Sequence, residues 1–214
     1  MFADRRTAGR LLGQALIHHA GTNAVVLGLP RGGVPVADEV ARVLGGSLDV
    51  WVVRKLGVPQ QPELGMGAIA EGPAVVIDRS IVRALGIRTA TLFEVARREM
   101  TEVRRRVERF RGGRVAPELR GRVVILVDDG IATGGTVRAA IRAIKKQHPA
   151  RLVLAVPVAS PDVVAALARE VDEVVCLRQP DPLYAIGLWY EDFRQVRDEE
   201  VTRILARAAQ QPTT

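Results

Sequence analysis

The sequence predicts an α/β fold with a mainly parallel central sheet and helices on both faces. Three observations lead there. Short, continuous apolar runs recur at residues 24–29, 48–53, 123–127, 152–156 and 173–177, the pattern of strands buried on both faces of a parallel sheet. Stretches with apolar residues at three- and four-residue spacing separate many of these runs, so strands and helices alternate. One run also ends in two adjacent acids followed by small residues, and ligands of such folds lie beyond the carboxyl ends of the strands.

Each element has its own signal. Residues 7–20 predict a helix with Leu11, Leu12, Ala15 and Leu16 on its apolar side and Gly21 as its stop. The run at 24–29 is a strand, Pro30-Arg31-Gly32-Gly33 a turn, and residues 35–44 a helix closed by Gly45 and Gly46. The run at 48–53 ends in Arg54 and Lys55; a Gly-, Pro- and Gln-rich stretch, expected to be mobile, then precedes short strands at 66–70 and 74–77. Residues 89–111 carry the longest helical pattern, with Leu92, Ala96, Met100, Val103, Val107 and Phe110 on one side. On its other sides Arg97, Arg98, Arg104, Arg105, Arg106 and Arg109 are interleaved with Glu94, Glu99, Glu102 and Glu108, which favours a solvated, ion-paired face over a nucleic-acid surface. The remainder alternates: strand 123–127, helix 136–147, strand 152–156, helix 161–169, strand 173–177.

Length and composition bound the function. The chain's 214 residues suit a single domain, and 48% hydrophobic residues are enough to bury a core. The formal charge is +7 and almost all of it is arginine, the only lysines being Lys55, Lys145 and Lys146. Such a balance fits nucleic acid, a membrane surface or a small polyanionic substrate. No apolar run approaches a membrane span and the start lacks a secretory pattern, so a cytoplasmic protein is expected. Cys176 is the single cysteine, which excludes an intrachain disulfide. His18 and His19 are neighbours expected to point to different helix faces, and His148 stands alone, so no metal site built from His or Cys is expected.

The chemistry concentrates in residues 123–136. An apolar strand presents Asp128 and Asp129 at its carboxyl end, and Gly130, Ile131, Ala132, Thr133, Gly134, Gly135 and Thr136 lead into a helix. Small residues and threonines at a helix start expose N–H groups and hydroxyls to a phosphate dianion. The two carboxylates cannot face that phosphate, and sugar hydroxyls or a hydrated cation are their natural partners. A nucleotide P-loop needs a lysine where Gly135 stands, and the spacing of Gly28, Gly32 and Gly33 is wrong for a dinucleotide fingerprint.

At these residues the sequence resembles the type I phosphoribosyltransferases, whose signature is a hydrophobic strand, two acids, small residues and a Thr-Gly-(Gly)-Thr loop. Leu29-Pro30-Arg31-Gly32-Gly33 is similar to the family's pyrophosphate-binding loop, which often holds an unusual cis peptide. Arg54-Lys55 resembles the basic pair before the catalytic loop, and residues 182–187 resemble the hood over the nucleobase. The resemblance implies one phosphoribosyltransferase domain over 1–214, with a helical insertion at about 80–114 and a hood at about 178–198. It also implies transfer of ribose 5-phosphate from phosphoribosyl pyrophosphate to a nucleobase-like acceptor, with magnesium held mainly through substrate and water.

The implied roles follow the motifs. Ala132, Thr133, Gly134, Gly135 and Thr136 would hold the 5-phosphate, and Asp128 and Asp129 the ribose 2- and 3-hydroxyls. Arg31, Gly32, Gly33, Arg54 and Lys55 would neutralise the departing pyrophosphate under a lid at 56–67. Tyr184 would stack on the base, with Trp189 and Tyr190 nearby, and Glu63, Glu71 or Glu191 would take the acceptor's proton. Members acting on 6-oxopurines usually carry an aspartate where this chain has Ala132, which disfavours that acceptor class. Members of the family are commonly dimers. A sensor of phosphoribosyl pyrophosphate or nucleotides that binds nucleic acid is the alternative; a phosphoribosyl pyrophosphate synthetase would need a further nucleotide domain.

Overall fold

The computed structural model describes residues 1–72 and 74–210, without the side chains of residues 62, 63 and 74. Helix α1 (Arg5–Ala15) begins at Asp4, whose carboxylate accepts the Thr7 amide at 2.6 Å. It stops five residues earlier than the periodicity predicts, and the chain continues as a separate 3-10 turn, Ile17–His19. Strand β1 (Val25–Gly28) is fully buried and leads through the Pro30–Gly33 turn into α2 (Gly33–Leu44), which ends at left-handed Gly45. Strand β2 (Ser47–Val50) follows.

The next segment departs from the sequence expectation. Strands β3 (Val53–Val58), β4 (Gln61–Ala70) and β5 (Ala74–Ile77) form a separate antiparallel ribbon, so the stretch expected to be a mobile loop is a hairpin. The cause is packing. Leu56, Val58, Met66 and Ile69 are buried in one cluster with Val95, Val103 and Phe110 of the long helix, so the ribbon has an apolar face to cover. After the short helix α3 (Arg79–Ala84), that long helix, α4 (Thr89–Arg111), has the predicted bounds and lies along the ribbon.

The chain then returns to the main sheet with β6 (Val123–Val127), α5 (Gly135–Lys145), β7 (Arg151–Val158), α6 (Pro161–Ala168) and β8 (Glu173–Arg178), before α7 (Asp198–Ala208). The sheet is five-stranded in the order β2-β1-β6-β7-β8, every pair parallel. Separate apolar clusters on its two faces bury the side chains of β1, β6 and β7, as the predicted fold class requires. β1 and β6 are adjacent with Gly28 opposite Val127, so the loops leaving their carboxyl ends emerge side by side. Among the described residues no helix is long and apolar enough to cross a membrane.

Candidate active site

β6 ends at Val127 and presents Asp128 and Asp129 beyond the sheet. The following turn forms a bridge between Ile131 and Ala159, then enters α5 through Gly134, left-handed at φ 76°. No side chain caps α5, which leaves the amide groups of its first turn available to a ligand. Ala132, Thr133, Gly135 and Thr136 are exposed there, while Gly134 is buried.

The turn after β1 reaches the same place. Its Pro30–Arg31 peptide is cis, the feature the resemblance led us to expect. Gly32 and Gly33 then lie flush against the acids: a Cβ on Gly32 would fall on the Asp129 carboxylate, and one on Gly33 would lie 2.6 Å from the Val127 carbonyl oxygen. No larger residue fits at either position without displacing the site.

The two carboxylates are not equivalent. Asp129 Oδ2 accepts from Arg5 Nε at 2.7 Å, and Arg5 also donates to the Arg194 carbonyl at 2.9 Å with its guanidinium 3.9 Å from the centre of the Phe193 ring. The buried Tyr190 hydroxyl donates to the Asp129 carbonyl oxygen at 2.6 Å, and burial raises its own pKa. Among the described residues Asp128 makes no direct ion pair; its Oδ1 accepts the Asp129 amide at 2.9 Å. Burial, and then the charge of Asp129, push the Asp128 carboxyl well above the usual range. Arg5, which positions Asp129, is absent from the sequence prediction, because nothing near residue 5 signals a partner 124 positions away.

The basic residues divide. Successive residues of a strand face opposite sides, so Arg54 shares the face of Leu56 and turns to α4, where its Nε and Nη2 lie 2.9 and 2.8 Å from Glu99 Oε2. Lys55 takes the other face. It lines a cleft of about 340 Å³ between the ribbon and the start of α5, together with Gly65, Gly67, Thr133, Gly135 and Thr136. Arg138 and Arg142, not singled out by the sequence, line the same cleft; both reach Glu170, at 2.6 and 3.6 Å. Their four-residue spacing on a helix that begins at the loop was the available signal. The Arg31 side chain turns to Asp198 at 3.6 Å, leaving the loop to its backbone and to Gly32 and Gly33.

The hood also differs from expectation. Tyr184 is 84% exposed and lines a separate groove with Met1, Pro182, Leu188 and Trp189. Two hood residues lie against the signature: Tyr190, through its bond to the Asp129 carbonyl, and Ile186, close enough that a Cβ on Gly130 would meet its Cγ2 at 2.5 Å. Of the expected proton acceptors, Glu71 is buried, accepting the Val52 amide at 3.0 Å and pairing with Arg111, and burial raises its pKa. Glu191 is exposed and the Glu63 side chain lies outside the described residues.

Comparison with known proteins follows the same lines. The profile of the family described as phosphoribosyl transferase domain matches residues 5–178. Rv0571c of Mycobacterium tuberculosis H37Rv, provisionally named a phosphoribosyl transferase, is 49% identical over 208 residues, which are 97% of this chain and 47% of that protein. MT0597 from strain CDC 1551 of that species matches over the same shares at the same identity. The chain thus spans about half the length of the curated relatives it matches. The crystal structure of TT1426 from Thermus thermophilus superposes with a TM-score of 0.86 at 47% identity, covering 96% of this chain and 98% of that one.

Proposed function

The chain belongs to the phosphoribosyl transferase domain family, and from that premise we propose that it transfers the 5-phosphoribosyl group of phosphoribosyl pyrophosphate to a nucleobase-like acceptor, releasing pyrophosphate. The observation that carries this reading is the meeting of three parts from two segments distant in sequence. The Asp128-Asp129 pair, the uncapped start of α5 and the Gly32-Gly33 turn lie together at the carboxyl ends of two adjacent strands.

Each part has a role in that reaction. Amides and hydroxyls of residues 132–136 bind the 5-phosphate, with the helix start adding its positive potential. Asp128 and Asp129 hold the ribose 2- and 3-hydroxyls. Because Arg5 compensates Asp129, the site meets a polyanion with less negative charge than two free carboxylates would carry. The same fixed oxygens favour the positive charge that develops at ribose C1, without reorganisation during the reaction. Pyrophosphate departs toward the Gly32 amide and toward Lys55, the Gly33 amide being held by the Leu29 carbonyl at 3.0 Å. Arg54 contributes only if it leaves Glu99. The ribbon shields the reacting centre from water on the Lys55 side.

The donor set fits a magnesium ion held through substrate and water. Asp129 Oδ2 is already taken by Arg5 and Asp128 Oδ1 by an amide, so these bonds leave one oxygen on each carboxylate, and magnesium keeps most of its waters in such sites. When bound, the ion supplies charge neutralisation on the diphosphate. Ala132 in the phosphate loop disfavours a 6-oxopurine acceptor.

The test is pyrophosphate release from labelled phosphoribosyl pyrophosphate with magnesium and a panel of purine, pyrimidine and other heterocyclic acceptors. At least one acceptor should give turnover, and Asp128→Asn and Asp129→Asn should each lower kcat by roughly 10²- to 10³-fold, as losses of preorganised groups do. If no acceptor reacts while RNA binds with steep salt dependence, the chain is a nucleotide-responsive binding protein instead.

A further inference from the structure

We propose that His18, His19 and Glu173 form a binding site for one zinc-class divalent cation at the end of the sheet opposite the phosphate loop. The sequence sends the two histidines to different faces of one helix. In the structure α1 has ended, and both occupy the 3-10 turn with ring centroids 4.2 Å apart. Both reach Glu173, the first residue of the edge strand β8. His18 Nε2 lies 2.9 Å from Glu173 Oε1 and His19 Nε2 lies 3.0 Å from Oε2, and the three ligand atoms fall within 4.8 Å of one another.

That geometry is close to a coordination shell. Zinc bonds of about 2.0–2.1 Å in a tetrahedron separate neighbouring ligand atoms by roughly 3.3 Å, so small side-chain rotations would seat an ion between the imidazoles and the carboxylate. Two imidazole nitrogens and one carboxylate select a borderline ion such as zinc over magnesium, which sets this site apart from the diphosphate ion of the proposed reaction. Arg151 Nη2 donates to Glu173 Oε2 at 3.1 Å and would orient the carboxylate as an outer partner; its side chain is 47% exposed, so solvent screens its charge. The His19 side chain is 7% exposed and that of His18 54%, which gives an ion a rigid inner ligand and an open approach, with water completing the shell. Bound there, it would tie the tail of α1 to the free edge of the sheet.

Untagged full-length protein, stripped with chelator and titrated calorimetrically with zinc chloride, should bind one ion per chain. Cobalt should give the visible bands of a tetrahedral ion. His18 is exposed, so His18→Ala should fold. It and Glu173→Gln should each weaken zinc binding by more than the roughly 10- to 100-fold that losing an outer partner costs, while His148→Ala leaves it unchanged. Equal affinity in wild type and His18→Ala, or binding lost in His148→Ala alone, would overturn the assignment, as would stoichiometry well below one.

Discussion

Arg5 carries an energetic burden out of proportion to its place near the chain start. Two adjacent carboxylates at the end of a buried strand repel each other, and the Arg5 guanidinium pairs directly with Asp129 while reaching Asp128 only through space, with the Arg5 and Asp129 side chains 11% and 15% exposed. Arg5→Ala would leave Asp129 facing Asp128 uncompensated and should cost about 2–3 kcal/mol, near the lower end for breaking a buried pair because some solvent reaches both groups. Urea unfolding checks this, and a double-mutant cycle with Asp129→Asn should recover part of the loss. Arg5→Lys should rescue incompletely, since lysine cannot pair with Asp129, donate to the Arg194 carbonyl and stack on Phe193 at once. Asp128 gives a prediction of opposite sign. Its folded pKa is raised above the ordinary value of 3.8, so above that pH the native state holds more protons than the unfolded chain. Its contribution to stability therefore falls as pH rises through the window between the two values. Asp128→Asn should flatten that dependence, raising Tm relative to wild type more at pH 8 than at pH 4 in a thermal-shift series, even as turnover is lost.

At the scale of elements, the ribbon of β3, β4 and β5 and the helix α4 stabilise each other. Arg54 reaches back from β3 to Glu99, which is 8% exposed, and Arg111 at the end of α4 donates to Asp49 at 3.0 and 3.1 Å, to Glu71 and to the Val50 carbonyl. Glu99→Ala should therefore loosen the ribbon rather than the sheet. Hydrogen exchange should quicken for amides of β3 and β4 while β1, β6 and β7 keep their protection; a uniform loss would mean that the pair stabilises the molecule globally. The same elements explain what the sequence made legible. Strands buried on both faces leave unbroken apolar runs, so the β6 run can be read to its residue bounds. In the ribbon the pattern is broken: the pairing of β3 with β4 shifts register around Gly57, and Gly65, Gly67 and the prolines at 59 and 62 interrupt the buried residues Leu56, Val58, Met66 and Ile69. The division of Arg54 from Lys55 was hidden with it, because the sequence ends the strand at 53 and only the observed β3 places the two residues on opposite faces. The contacts of Arg5 with Asp129 and of Ile186 with Gly130 were not legible either, because they join segments far apart in sequence with no local pattern at either end.

Over the whole molecule, the net charge of +7 raises the question of whether a polyanion responds to a global field or to a few local charges. Much of the arginine on α4 is internally compensated. Glu102 accepts from Arg105 at 2.7 and 2.9 Å and from Arg106 at 2.8 Å, hydrogen bonds that lower its pKa to about 2. Arg109 lies 2.7 Å from Glu199 and 3.1 Å from Asp198. Lys55, Arg138 and Arg142 line the cleft beside the phosphate loop, where the two arginines reach Glu170 and Asp78 also lines the wall. The Debye length is about 10 Å at 0.1 M salt, so charges on the outer side of α4 are screened from a ligand at the loop while those of the cleft are not. Phosphoribosyl pyrophosphate affinity, measured calorimetrically from 50 to 500 mM salt at roughly the range where screening changes most, should therefore decline in wild type. Lys55→Ala and Arg142→Ala should weaken binding and flatten its salt dependence, whereas the Arg105→Gln/Arg106→Gln variant should follow the wild-type curve. A flattening of equal size in that α4 variant would mean that the field of the whole protein, rather than the cleft, draws the substrate in.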